Sequence, residues 1–202
     1  VLAVGLWNKA VPIQGTLAEI YLRKRGMDLV SDELRYLEKC PVRIDGELKM
    51  LPAMVAAIRT DEGIVAVQRT FLDPETGGKA KIPSPKMVLG RMFDGCVRLA
   101  PVAEGGELGL AEGIETALSV MEVRKIPCWA VLNSVRVGQV AVPQNLYRLI
   151  VIVDNDKAGK AAIMHGYEGQ MRKLLRFTND RPPPRYNDWN DYLVAIKRKQ
   201  QG

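Results

Sequence analysis

The rhythm of apolar and polar positions changes twice along the chain. In residues 16–25, TLAEIYLRKR, the apolar Leu17, Ile20 and Tyr21 oppose a basic side. Thr16 and Glu19 stand in capping-box spacing and Gly26 supplies a stop, so this segment is predicted to be a helix. Between residues 48 and 72 the period shortens, and LKMLPAMVAAIRT and GIVAVQRTFL predict two strands of an antiparallel hairpin around Asp61, Glu62 and Gly63. DPETGGKAKIPSP, rich in Gly, Pro and Lys, follows as a loop and is the expected mobile segment of the first half.

From Glu107 onward short apolar runs alternate with helical patterns. ELGLA predicts a strand, GIETALSVMEVR a helix, CWAVL and RLIVIV two further strands, and AGKAAIMHGYEGQMRKLL a second helix. A last strand is expected near residues 175–177, bounded by RPPPR, which continues neither strand nor helix, and DWNDYLVAIKRK predicts a terminal helix with a basic tail. That order argues for an α/β fold with a parallel sheet covered on both faces. PVAEGG interrupts the pattern. The expected organisation is therefore a smaller basic α+β lobe over residues 1–105 and a helix-flanked sheet over residues 106–202.

Composition narrows this picture only slightly. A chain of 202 residues, 47% hydrophobic, can bury a core without staples. Lys and Arg outnumber Asp and Glu by 29 to 23, a net charge of +6 that suits a polyanionic partner and is also common among ordinary cytosolic proteins. Cys40, Cys96 and Cys128 form no C-x-x-C pair, which excludes a readable zinc ribbon or disulfide framework and leaves reduced core thiols. No run approaches the ~18 apolar residues of a membrane span, and the start lacks the basic flank and long apolar region of a signal peptide. A cytoplasmic protein with no membrane partner is expected. The first residue is Val1, as in a fragment of a longer polypeptide.

The chemistry gathers where strands end. Glu112 directly follows ELGLA, and Asp154 and Asp156 follow RLIVIV, each before a helix start. In an open parallel sheet such positions face a common crevice. Carboxylates crowded together repel unless a cation neutralises them, and oxygen donors without His or Cys select Mg2+ or Mn2+ over zinc. Asp-x-Asp spacing turns both carboxylates the same way. Gly113 opens the backbone at a helix start to a phosphate, and Gly159 does so in the next loop. Each motif has an ordinary alternative, since a Glu-Gly at a strand end is commonly a turn and Asp-Asn-Asp commonly an N-cap; together and in this order they favour the metal. His165, the only histidine, lies in a helical pattern, which excludes a His-based nucleophile mechanism, and Glu115 is expected to pair with a basic neighbour.

LAEGIETALS followed by VIVDNDKAGKAA resembles the Toprim domain shared by bacterial-type primases, type IA and type II topoisomerases and several nucleases, over residues 107–193. The resemblance implies that Glu112 is the acid/base or metal-linked glutamate and that Asp154 and Asp156 bind the metal. In the first half AEIYLRKRGM, LPAMVAAIRTDEGIVAVQRTFLD and GKAKIPSPKMVLGRMFDGCVRLA resemble the basic subdomain that precedes Toprim in phage- and plasmid-type primases, which implies contacts from Arg69, Lys79, Lys81 and Lys86 to template and nucleotide; in the second half Gly113 and Lys157, beside the acidic motifs, are the further candidates for nucleotide contact. NDWNDYL resembles a segment common after Toprim in that branch; Asp188 either extends the acidic site or caps a helix, and Trp189 and Tyr192 are expected to pack on the sheet. The implied activity is primer synthesis by phosphoryl transfer from ribonucleotides on single-stranded DNA with Mg2+ or Mn2+, in concert with a replicative helicase. A Toprim nuclease or a non-catalytic nucleic-acid-binding module are the alternatives, and the chain has no room for the tyrosine-bearing domain of a topoisomerase.

Overall fold

The computed structural model describes residues 2–155 and 177–201. The helix expected over residues 158–175, with Gly159 and His165, lies outside them, as do Asp156 and Lys157. The chain divides into two compact units, Val1–Phe93 and Asp94–Gly202.

In the first unit α1 (Leu2–Lys9), β1 (Val11–Pro12) and α2 (Leu17–Lys24) precede β2 (Leu34–Ile44), β3 (Glu47–Thr60), β4 (Gly63–Phe71) and β5 (Lys86–Gly90). The strands form one antiparallel sheet in chain order. α2 starts as its sequence predicts, with Thr16 Oγ1 accepting from the Ala18 N–H at 3.3 Å. Glu19 reaches back one residue further than a capping box requires, accepting from the Gly15 N–H at 2.7 Å. That bond, aided by Arg23, holds the Glu19 carboxyl below the usual range.

The β3–β4 hairpin closes through Thr60 and Gly63 as the pattern predicts. The periodicity predicts neither α1 nor β2. β2 and β3 are joined by Asp45 and Gly46, with φ of 51° and 84°, the left-handed pair that a two-residue hairpin turn requires. Successive residues of β3 face opposite sides. Ala53, Val55 and Ala57 join Trp7, Val67 and Phe71 in the core under α1, while Met54 and Ile58 are buried on the other side, as are Tyr21 and Leu22 of α2. The loop after β4, expected to be mobile, is tied down. Asp73 Oδ1 accepts from the Glu75 N–H at 2.9 Å, the Ala80 N–H reaches Phe71 O at 2.9 Å, and Lys79 bridges Leu72.

The second unit comprises β6 (Glu107–Ala111), α3 (Ile114–Arg124), β7 (Cys128–Ala130), a 3-10 turn (Ser134–Gly138), β8 (Arg148–Ile152), β9 (Phe177–Asp180) and α4 (Trp189–Gln201). Residues 94–105 group with this unit, and Val97 exchanges 2.9 Å backbone bonds with Ala130. The sheet has the order β7-β6-β8-β9 and is parallel throughout. β9 runs on to Asp180, beyond the end expected at residue 177, because pairing from Leu149–Phe177 to Ile152–Asp180 supplies bonds that its polar sequence does not advertise. Gly109 sits where β6 meets both neighbours: a Cβ there would lie 3.0 Å from Cys128 Sγ and 3.3 Å from Ile152 Cγ1. The three cysteines are free and buried. No helix among the described residues is long and apolar enough to cross a membrane.

Candidate metal centre

The strand order decides where the site lies. β6 is internal; the chain leaves it to form β7 on one side and returns to form β8 on the other. The carboxyl ends of β6 and β8 therefore flank the point where the winding reverses, the place at which an open α/β sheet leaves a crevice. Ala111 pairs with Ile152, so Glu112 is the first residue past β6 and Asp154 the second past β8. Two carboxylates thus stand at the ends of adjacent strands. Glu112 is exposed and Asp154 half-buried.

Neighbouring backbone fixes both turns. Glu112 O accepts from the Leu132 N–H at 2.8 Å, and Leu132 holds φ 70° to make that bond. A leucine in the left-handed region costs about 1 kcal/mol, a strain that sheet-end turns at functional sites commonly carry. Asn133 then caps the 3-10 turn, its Oδ1 accepting from the Val135 N–H at 3.0 Å. Sequence reasoning missed this support, although Asn133 carries a capping signal. On the other strand the Asn155 N–H donates to Asn187 O at 2.9 Å, and its side-chain Nδ2 donates to Tyr186 O at 2.8 Å and Pro182 O at 3.2 Å. The middle residue of Asp-Asn-Asp is thus a clamp on the proline-rich segment.

That clamp brings Asp188 beside the Asp154 turn. Asp188 Oδ1 accepts from the Asp191 N–H at 2.8 Å, capping α4, so one of its oxygens serves the helix. Gly113 is extended at φ −108° and serves as the N-cap of α3 without a side chain. A Cβ at Gly113 would make only ordinary contacts, 3.7 Å from Glu115 Oε2 and Thr116 Oγ1. The chain's own packing does not demand glycine there. Glu115 is buried in the first turn of α3. Trp189 is fully buried, with the Arg124 guanidinium of α3 over its ring at 5.2 Å, and the half-buried Tyr192 packs on Tyr186 at 5.0 Å.

The basic candidates are less gathered. Lys79 and Lys81 lie on the connection between β4 and β5 and Lys86 opens β5, Lys81 being exposed. Arg69 pairs with Met87 and Lys86 with Thr70, so Arg69 and Lys86 face opposite sides of the sheet. Arg69 donates to Pro41 O at 2.8 Å and covers the Phe71 ring at 5.4 Å.

Residues 107–197 match the Toprim domain model. The second unit is a Toprim domain. Residues 2–99 match a family described as a domain of unknown function (DUF7146). Among solved structures, the primase fragment of the bacteriophage T7 primase-helicase protein is 18% identical, with a TM-score of 0.51, covering 80% of this chain and 64% of that one. The Aquifex aeolicus primase, zinc-binding and RNA polymerase domains, is 16% identical, with a TM-score of 0.62, covering 94% of this chain and 55% of that one. The chain thus spans under two thirds of either. No curated protein matches it by sequence. Toprim domains typically bind divalent metals, and the donors here fit one: Glu112 and Asp154 offer oxygen alone, and the cysteine thiols are buried in the two cores. Among the described residues no group of three acidic, His or Cys side chains is close enough to hold an ion, the third carboxylate of the motif, Asp156, lying outside them.

Proposed function

We propose that this chain catalyses metal-dependent nucleotidyl transfer, joining ribonucleotides into a primer on single-stranded DNA. The observation that carries the reading is the pair of carboxylates, Glu112 and Asp154, flanking the switch point of a Toprim sheet. Glu112, Asp154 and Asp156 would hold Mg2+ or Mn2+, while Asp188 caps α4 and, among the described residues, is not grouped with Glu112 and Asp154. When bound, the ion lowers the pKa of the attacking hydroxyl and neutralises charge on the phosphates. Glu112, at an exposed strand end, orients the 3'-hydroxyl and takes its proton as the oxygen bonds to the α-phosphorus of the incoming ribonucleotide, whose bond to the β-phosphate oxygen breaks and releases pyrophosphate. Gly113 leaves the α3 N-terminus open to a phosphate oxygen. Lys79, Lys81, Lys86 and Lys157 neutralise template and nucleotide phosphates. The T7 fragment comes from a primase-helicase protein, and a replicative helicase is the proposed partner here.

Single-stranded DNA, labelled ribonucleotides and Mg2+ should yield short oligomers. Glu112→Gln should reduce their synthesis about a hundredfold or more while template binding persists, because the substitution removes charge at the reacting centre and keeps size. Template degradation without product would replace this reading with a nuclease. Binding with neither reaction would leave a nucleic-acid-binding module.

A further inference from the structure

The first unit carries a groove whose lining residues, Arg69 apart, have been given no part in primer synthesis. α1 has 8 residues, ~12 Å of helix at 1.5 Å per residue, whereas β2 and β3 have 11 and 14 residues and extend well beyond it. The helix covers only part of the sheet face. Beyond its edge lies a groove of about 740 Å³ whose floor includes Leu37, Leu48, Met50, Met87 and Leu89. Leu48 is 62% exposed and Met50 55%, and Leu2 at the start of α1 is 77% exposed. Aliphatic side chains so open to water are unusual in a cluster and mark a contact surface.

Charge identifies the occupant. Lys9, Lys39, Arg43 and Arg69 line the same groove, and no acidic side chain does so among the described residues. The lining is also without aromatic rings, which grooves for single-stranded nucleic acid use to stack bases. A floor of Leu and Met within a basic rim matches an amphipathic helix whose apolar stripe is flanked by carboxylates. A second copy of this chain fits poorly, because each carries a net charge of +6.

We propose that this groove docks an acidic amphipathic helix of a partner protein. The apolar stripe of the helix lies on Leu48, Met50 and Met87, and its carboxylates meet Lys9, Lys39 and Arg43 at the rim. The inference does not depend on the metal site, since the groove is lined by residues of the first unit alone.

The test uses the whole chain and a labelled peptide of about four helical turns, with Leu at i, i+3, i+4 and i+7 and Glu at the flanking positions. Fluorescence anisotropy should show saturable binding, at least tenfold tighter than to a scrambled peptide of the same composition. Leu48→Asp with Met50→Asp should weaken it at least tenfold. Both positions are exposed, so the melting temperature should hold. Lys9→Glu with Lys39→Glu should weaken the Leu/Glu peptide and strengthen a Leu/Lys counterpart. Equal binding of the scrambled peptide, or indifference to both double variants, overturns the proposal. So does loss of oligo-dT binding in Leu48→Asp with Met50→Asp, which would make this a nucleic-acid groove, or conversion of a wild-type dimer to a monomer by the same variant, which would make it a self-interface.

Discussion

At the residue scale, the three thiols separate chemistry from packing. Burial pushes Cys40 up to about 11 and Cys96 up to about 12, and raises Cys128 as well. Neutral thiols of this kind are poor nucleophiles and poor metal ligands, which leaves the carboxylates as the reactive groups. A folded-state pKa above the unfolded value means that the native chain retains a proton the unfolded chain has lost. Stability from Cys40 is thus complete below the ordinary thiol value of 9.0 and falls as pH rises toward about 11. Chemical denaturation should show stability declining across that window, on the order of 1 kcal/mol per pH unit for each such thiol. Cys40→Ala should lessen the slope while costing some stability at neutral pH. An unchanged slope would mean that Cys40 ionises in the native state.

At the scale of elements, α4 is held to α3 by a short polar chain. Asn190 Nδ2 donates to Ser119 Oγ at 3.3 Å, and Ser119 Oγ donates to Glu115 O at 2.8 Å, all three residues being buried. Lys197 and Glu122 pair at 2.6 Å further along. Asn190→Ala leaves a buried hydroxyl short of a partner and should cost about 1–3 kcal/mol in thermal unfolding, whereas Asn190→Asp should cost more by burying charge. An Asn190→Ala protein as stable as wild type would show that water replaces the amide. Much of this architecture is legible in the sequence. ELGLA forms β6 without a residue gained or lost, and GIETALSVMEVR forms α3 from Ile114, because buried parallel strands and the helices between them advertise themselves by apolar runs. β2 is silent for the opposite reason. LRYLEKCPVRI mixes Arg, Glu and Lys into a strand with a register shift between Leu37 and Cys40, so alternation fails where the sheet bends. The site divides in the same way. Glu112 and Asp154 follow from strand ends, but the support from Leu132 and the clamp by Asn155 depend on which segments become neighbours, and local pattern carries no trace of that.

At the scale of the whole molecule, the net charge of +6 is not the property of one lobe. Residues 1–93 contain 14 Lys and Arg against 11 Asp and Glu, and residues 94–202 contain 15 against 12. The excess is shared, so nucleic-acid affinity should draw on both units. The connection between β4 and β5, with the first residue of β5, brings Lys79, Lys81 and Lys86 close together in the chain, and Asp73 near its start is occupied by the turn, its carboxyl held low first by Thr76 and then by the Glu75 N–H. Each phosphate neutralised on a single strand contributes about 0.7 to the slope of log K against log salt. Replacing all three lysines by Ala should therefore lower that slope by about 2 and weaken oligo-dT binding at low salt, while a residual slope from the remaining basic residues persists. Circular dichroism should be unchanged, because Asp73 keeps its turn and these side chains take no part in the core. A slope that vanishes would concentrate the whole template contact in this one connection. A slope that does not move would turn the connection away from the strand and transfer the phosphate contacts to the Toprim domain.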